Sequence, residues 1–203
     1  MNKPYAESAA QNRDVILEVL REAFARRASV VEIGAGTGQH AVHFAAHLPH
    51  LRWLPTDLEE NLEGIRAWVD EAGLENIDEP RALDAADPDW GRRLAEENIT
   101  RDAVYTANTF HIMSWPEVCA CIDGCGQAVA PGGLVAVYGP FNYGGRFTSE
   151  SNARFDDWLK ARDPESGIRD FDALSARFAD ADFALERDYE MPVNNRILLW
   201  RRT

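Results

Sequence analysis

Gly34, Gly36 and Gly38 directly follow the β-branched run Ser29 to Ile33 and precede an apolar helical pattern that continues to His47. Strand, side-chain-free bend and helix in that order let a ligand approach the backbone closely, because no Cβ intervenes and glycine takes the positive φ that such a bend can require. By itself the triplet also fits a helix-entry turn that binds nothing. Asp57 falls about 20 residues later, at the end of a second strand, where a carboxylate can accept hydrogen bonds from ribose hydroxyls. Leu58 follows it on the same side of the sheet. Asp84, in Leu83-Asp84-Ala85-Ala86-Asp87, ends a third strand; a helix cap for the segment starting near Pro88 explains it equally well. His111, after a fourth strand, has an ordinary pKa suited to removing a proton near neutrality, with a hydrogen-bonded structural histidine as the competing reading.

The glycine spacing discriminates among nucleoside ligands. A dinucleotide site prefers G-x-G-x-x-G, but here Gln39 stands where the third glycine belongs and Gly38 comes one residue early. An NAD-dependent oxidoreductase is therefore the weaker alternative, and a Tyr-Lys pair four residues apart cannot be built from the chain's lysines, Lys3 and Lys160. No Gly-Lys pair exists for a P-loop.

These residues need a scaffold, and the pattern supplies one. Val15, Ile16, Val19, Leu20, Ala23 and Phe24 describe an amphipathic opening helix over residues 9–27. Strands are expected at Ser29 to Ile33, Leu51 to Thr56, Arg81 to Leu83, Ala103 to Ala107 and Leu134 to Tyr138. Helical stretches separate them, the last running from Pro116 to Val129 and closed by the turn Pro131-Gly132-Gly133. Strand-then-helix units predict a mostly parallel sheet covered on both faces. Two more helices precede the strands Phe183 to Met191 and Arg196 to Trp200, whose connection is too short for a crossover and must make an antiparallel hairpin. The expected fold is an α/β, Rossmann-like, doubly wound sheet of seven strands.

At 203 residues the chain fits one domain. A net charge of −13 removes long-range attraction to phosphate backbones, so no nucleic-acid partner is expected. No apolar run reaches the length of a bilayer crossing, and no basic-then-apolar leader opens Met1 to Ala10; the expected location is cytoplasmic, without a membrane partner. Three cysteines, Cys119, Cys121 and Cys125, suit reduced thiols. Their spacing scatters them over different faces of a helix, and His40, His43 and His47 share a face without a carboxylate partner. Neither set makes a metal site, and the histidines are taken as surface or packing residues.

Val30-Val31-Glu32-Ile33-Gly34-Ala35-Gly36-Thr37-Gly38, with acids at later strand ends and a terminal hairpin, resembles the class I S-adenosylmethionine-dependent methyltransferases. The resemblance implies S-adenosyl-L-methionine as cofactor: the glycine loop under its methionine part, Asp57 on the ribose, and Asp84 and Ala85 at the adenine. Glu32 would orient the loop or the ligand ammonium. Asn108 would meet the methionyl end and stand beside His111 as a catalytic candidate. Asn12 and Arg13 open a helix that covers the cofactor in such proteins, where an arginine can pair with the methionyl carboxylate.

A closer likeness rests on Ala9-Ala10-Gln11-Asn12-Arg13, Gly38-Gln39-His40, Asn108 to Ile112, Tyr138-Gly139-Pro140-Phe141, Ser151-Asn152 with Phe155-Asp156, Gly167-Ile168-Arg169-Asp170 and Met191-Pro192-Val193-Asn194-Asn195. These stretches resemble an uncharacterised methyltransferase-like family of bacteria and animals, except that Ser114 stands where that family places a proline before tryptophan.

Methyl transfer to an unidentified small molecule, or to a protein side chain, is the expected activity; a non-catalytic sensor of the same nucleoside is the alternative. Tyr5, Phe141 and Tyr143 are candidates to wall an acceptor, with packing as the competing role. Asn194 and Asn195, in the hairpin turn, are candidates to contact it, although turn chemistry alone explains asparagine there.

Overall fold

The computed structural model describes residues 3–97, 99 and 101–203. Its helices and strands are, in chain order, α1 (Glu7–Ala23), β1 (Ser29–Ile33), α2 (Gln39–His47), β2 (Arg52–Asp57), α3 (Leu62–Ala72), β3 (Arg81–Ala82), α4 (Trp90–Glu96), β4 (Arg101–Ala107), α5 (Trp115–Ala128), β5 (Val129–Gly139), β6 (Phe141–Asn142), α6 (Glu150–Arg162), β7 (Arg169–Asp170), α7 (Phe171–Asp180), β8 (Phe183–Met191) and β9 (Asn195–Arg202). Seven strands form one sheet in the order β3-β2-β1-β4-β5-β9-β8. The first five are parallel and the terminal pair antiparallel, which is the predicted architecture.

Parallel pairing brings the carboxyl ends Ile33, Asp57, Ala82 and Ala107 to one edge of the sheet. The chain reverses direction across the sheet between β1 and β4, and ligands of open α/β sheets sit in the crevice at such a point. Residues 30–33 of β1 are all buried because helices cover both faces. On one face Ile16, Leu20, Phe44, Trp53 and Tyr105 share a core; on the other Trp90, Val118, Ile122, Phe178 and Trp200 do so. Each such large apolar side chain contributes about 1.5–3 kcal/mol on burial.

Local chemistry sets the element ends. Gly73, at φ +58°, closes α3 in the left-handed conformation that glycine adopts without strain. Ser114 caps α5: its hydroxyl accepts the Glu117 N–H while the Glu117 carboxylate accepts the Ser114 N–H. Serine instead of proline before Trp115 is thus a capping residue, with Pro116 in the first turn where its missing N–H costs nothing.

The structure departs from expectation in four places. The opening helix spans Glu7–Ala23 instead of 9–27, because Phe24 leaves helical geometry after its N–H bonds the Leu20 carbonyl, and residues 24–26 turn. The strand expected to start at Leu134 begins at Val129, which pairs with Arg101; residues 130–133 loop out of register before Leu134 meets Ala103, with Gly132 at φ +82°. A small parallel pair, β6 with β7, was not expected. The turn at 192–194 holds Val193 and Asn194 at φ +59° and +60°.

Candidate functional site

The carboxyl edge opens onto a cleft of about 900 Å³. Gly34, Ala35 and Gly36 line it beside Asp57 and Leu58, with Asp84, Ala85 and Asn108 completing the wall. The glycines differ in what they do. A Cβ on Gly34 would stand 2.7 Å from Thr109 Oγ1, so this position lets β1 pass tightly under the loop after β4, whereas one on Gly36 would meet nothing within 4 Å. Both have positive φ, +68° and +60°. Gly38 lies outside the cleft: its Cβ would approach Ile65 Cα to 3.1 Å, and its work is to let α2 pack on α3.

Asp57 ties the loop to the second strand. Its Oδ2 accepts the Gly36 N–H at 2.7 Å, and Oδ1 accepts the Leu58 N–H and the Asn61 amide, each at 2.7 Å. A carboxylate offers about four acceptor sites, so three protein donors leave room for a ligand hydroxyl. Asp84 Oδ1 accepts the Ala86 N–H at 2.9 Å while the residue lines the cleft, so its turn role and its exposure to the cleft coexist.

Besides Gly38, three of the proposed cofactor contacts lie elsewhere. Glu32 is buried behind the loop and takes the Trp53 indole N–H at 2.7 Å. Burial raises its carboxyl to about 8, the Trp53 bond opposing and Asp57 reinforcing the rise; it is an uncharged acid at neutral pH and does not reach the cleft. Arg13 lines neither cavity; it stands 3.8 Å from Asp14 and near His40 and His43 of α2. Asn12 does not line the cleft: its Oδ1 lies 2.7 Å from His40 Nε2, and it faces a second cavity.

Of the three histidines read as surface or packing residues, His40 packs, its ring against Phe44 and Tyr105, and does more. It is buried, lines the cleft, and is held at a pKa of about 4 by burial, against the bond to the Ala9 carbonyl. With Gln39, whose Oε1 accepts the Ala6 N–H at 2.6 Å, it fastens α1 over the cleft. The runs Ala9 to Arg13 and Gly38 to His40 are therefore one contact seen twice in the sequence.

A second cavity of about 860 Å³ adjoins the first, and Ser8, Asn108 and Ile112 line both. Asn108 sits at the junction with φ +57°, its N–H bonded to the Tyr138 carbonyl at 2.9 Å. Ser8, Gln11, Asn12 and Val15 present one face of α1, and Phe155, Trp158, Leu159 and Arg162 one face of α6; both sets have the i, i+3, i+4, i+7 spacing. His111 lines this cavity too, its ring edge-on to Phe155 at 5.2 Å. Burial, then the nearby Arg169 guanidinium, lowers its pKa to about 4, so the ring is neutral at physiological pH.

Of the proposed acceptor residues, only Asn195 lines this cavity, its amide donating to the Tyr138 hydroxyl at 3.0 Å. Tyr5 is exposed and lines neither space. Phe141 is 1% exposed in the core. Tyr143 stacks on Phe171 at 5.0 Å and donates to Asp188 at 2.7 Å, and Asn194, not itself in the lining, bonds Ser151 and Asn152, which are. Apolar packing claimed Phe141 and Tyr143, since both faces of this sheet are covered. Sequence reasoning missed Tyr138, Phe155 and Trp158; the helical spacing on α6 carried the signal. Cys121 and Cys125 are buried in α5, and among the described residues no three His, Cys, Asp or Glu side chains converge as a metal site. Among them, too, no helix is long and apolar enough to cross a membrane.

A family model described as "Protein of unknown function (DUF938)" matches residues 3–202. Solved structures share the fold. An O-methyltransferase family protein from Burkholderia thailandensis superposes with a TM-score of 0.82 at 18% identity, over 97% of this chain and 58% of that one. Human N-acetylserotonin methyltransferase, solved with S-adenosylmethionine, gives 0.80 at 15% identity over 97% and 53%. The S-adenosylmethionine-dependent methyltransferase SibL gives 0.76 at 24% over 96% and 55%. The chain therefore spans little more than half the length of these proteins, and the likeness establishes a Rossmann-like methyltransferase fold.

Proposed function

The chain belongs to the DUF938 family, and from its two adjoining cavities we propose that it is an S-adenosylmethionine-dependent methyltransferase acting on a small-molecule acceptor. The carrying observation is that a glycine-walled cleft and an aromatic-lined cavity meet at Asn108, as transfer between two bound molecules demands. The nucleoside fits the cleft: Gly36 leaves the loop surface clear, Asp57 keeps acceptor capacity beside it, and Ala85 offers a small apolar wall next to Asp84. The human N-acetylserotonin enzyme of the same fold carries this cofactor. Bound there, it would supply an electrophilic methyl group on a sulfonium, transferred by in-line displacement.

The protein's part is alignment and proton handling. Ser8 and Ile112 border both spaces and fix the approach between them. His111, neutral and facing the acceptor cavity, accepts the proton that an acceptor hydroxyl sheds as its oxygen becomes bonded to carbon. A base this weak suffices because the oxygen turns strongly acidic at that stage, and its proton then passes to water. Cytoplasmic metabolites without phosphate-rich character suit the charge of −13.

Incubating the full chain with methyl-labelled S-adenosylmethionine and a small-molecule extract tests this. Label is expected in an organic product with wild type and at least about tenfold less with His111→Gln. Binding without any labelled product from small-molecule or protein fractions would instead mark a sensor.

A further inference from the structure

Tyr138 is hydrogen-bonded in an unusual sense. Asn195 Nδ2 donates to its oxygen at 3.0 Å, and Asn12, whose Oδ1 is engaged by His40, reaches the same oxygen through its amide nitrogen. Burial raises the Tyr138 pKa above its ordinary value, and the two amide bonds oppose that rise, as donors to its oxygen must. The hydroxyl hydrogen is thereby turned away from both amides, and among the described residues no acceptor takes it. Tyr138 lines the second cavity. Asn108 and His111 line it too; Asn108 Oδ1 and His111 Nδ1 each lie 3.9 Å from where a Cβ of Gly139 would stand, and among the described residues the His111 ring has no hydrogen-bond partner. One donor and two acceptor-capable atoms thus line the same cavity, Asn108 at its junction with the cleft.

Another part of the lining is aromatic. Phe155 and Trp158 stack at 5.7 Å with 16° between planes, and the Arg162 guanidinium lies 4.6 Å over Trp158. Arg162 and Asp163 carry the formal charges of the lining, both at the carboxyl end of α6. Among the described residues the lining holds no carboxylate but Asp163 to balance an ammonium, and Arg169, bonded to the Phe110 and Met113 carbonyls, opposes one at His111. A charged group placed there would lose its hydration without a partner.

We propose that this cavity takes an uncharged, flat molecule bearing a hydroxyl, its ring covered by Phe155 and Trp158 and its oxygen receiving the Tyr138 O–H. The hydroxyl hydrogen of the ligand then goes to His111 or Asn108, so one oxygen uses both kinds of group present. This rests on the two-cavity reading and names the acceptor class, with Tyr138 as the orienting residue.

The test is binding without cofactor, by calorimetry and ligand-observed NMR at pH 7, using 2-naphthol, 2-naphthoate and 2-naphthylmethylammonium. Expected are 2-naphthol bound at least about tenfold tighter than either charged analogue, and a loss of about tenfold for 2-naphthol alone in Tyr138→Phe. Because that variant also removes the oxygen that accepts the Asn195 and Asn12 amides, its circular dichroism and melting are recorded alongside. Trp158→Ala, at a half-exposed position, is expected to weaken 2-naphthol independently of Tyr138. No binding of 2-naphthol, a charged analogue bound as tightly, or unchanged affinity in both variants overturns the proposal. Titration with S-adenosylhomocysteine is scored separately: if it fails while 2-naphthol binds as described, the methyltransferase reading falls and the cavity assignment stands.

Discussion

The Asp57 carboxylate accepts the backbone N–H of Gly36 at 2.7 Å, so the last residue of the second strand holds the centre of the glycine loop. The same side chain also receives Leu58 and Asn61, which makes it a structural clamp as well as a candidate ribose ligand. Asp57→Ala should lower unfolding free energy by about 2–3 kcal/mol, three hydrogen bonds at about 1 kcal/mol each, and weaken nucleoside binding by more than about 1 kcal/mol. Denaturant melts and calorimetry on the variant measure the two effects; a variant with wild-type nucleoside affinity would move the ribose site away from Asp57.

Two neighbouring glycines should respond differently to a single methyl group. Gly34→Ala drives a Cβ to 2.7 Å from Thr109 Oγ1 and should fold poorly. Gly36→Ala meets open cleft, so it should fold with about 1 kcal/mol of strain from its positive φ yet bind nucleoside less well. Melting temperatures together with ligand titration separate a packing glycine from a binding one; equal behaviour of the two would contradict that division.

The positions of these glycines and of Asp57 were legible in the sequence because a strand end, a bend and a helix start are local events. Seven strands and the closing hairpin were legible for the same reason: alternating periods and short connections permit few topologies. The acceptor side was not. Phe141 and Tyr143 looked suited to a pocket, but whether an aromatic faces a cavity or the core depends on which helices cover it. Tyr138 gave no sign because its role comes from Asn12 and Asn195, 126 and 57 positions away respectively. Glu32 looked like a ligand contact because it adjoins the loop, yet alternation along β1 turns its side chain toward Trp53.

Stability should peak near about pH 6.5 and fall on both sides. His40 and His111 have folded pKa values of about 4 against an ordinary 6.5, so the unfolded chain binds more protons between those values. Their contribution is complete above 6.5 and is lost as pH falls toward 4, on the order of 3 kcal/mol for each at full loss. Glu32 acts oppositely. Its folded pKa of about 8 against 4.5 means that stability declines as pH rises from 4.5 through 8. Urea melts from pH 4 to 9 should show both limbs, and Glu32→Gln should flatten the alkaline one while keeping a Trp53 partner. An unchanged alkaline limb in that variant would locate the effect elsewhere.

Asn12 connects α1 to both cavities through His40 and Tyr138. Asn12→Ala leaves two buried partners short of a bond and should cost about 1–3 kcal/mol. Hydrogen exchange should quicken in residues 7–16 before it does in the sheet, since the helix end then opens locally. Uniform acceleration across the chain would argue against a separately anchored cover.

Isothermal titration of the full chain with S-adenosylhomocysteine, with NAD as the control, reads the occupancy of the glycine-walled cleft most directly. One-to-one saturable heat at micromolar concentrations, reduced in Gly36→Ala and absent with NAD, is the expected result. Absence of heat up to millimolar nucleoside, or equal binding of NAD, would contradict the assignment of this cleft to a sulfonium nucleoside.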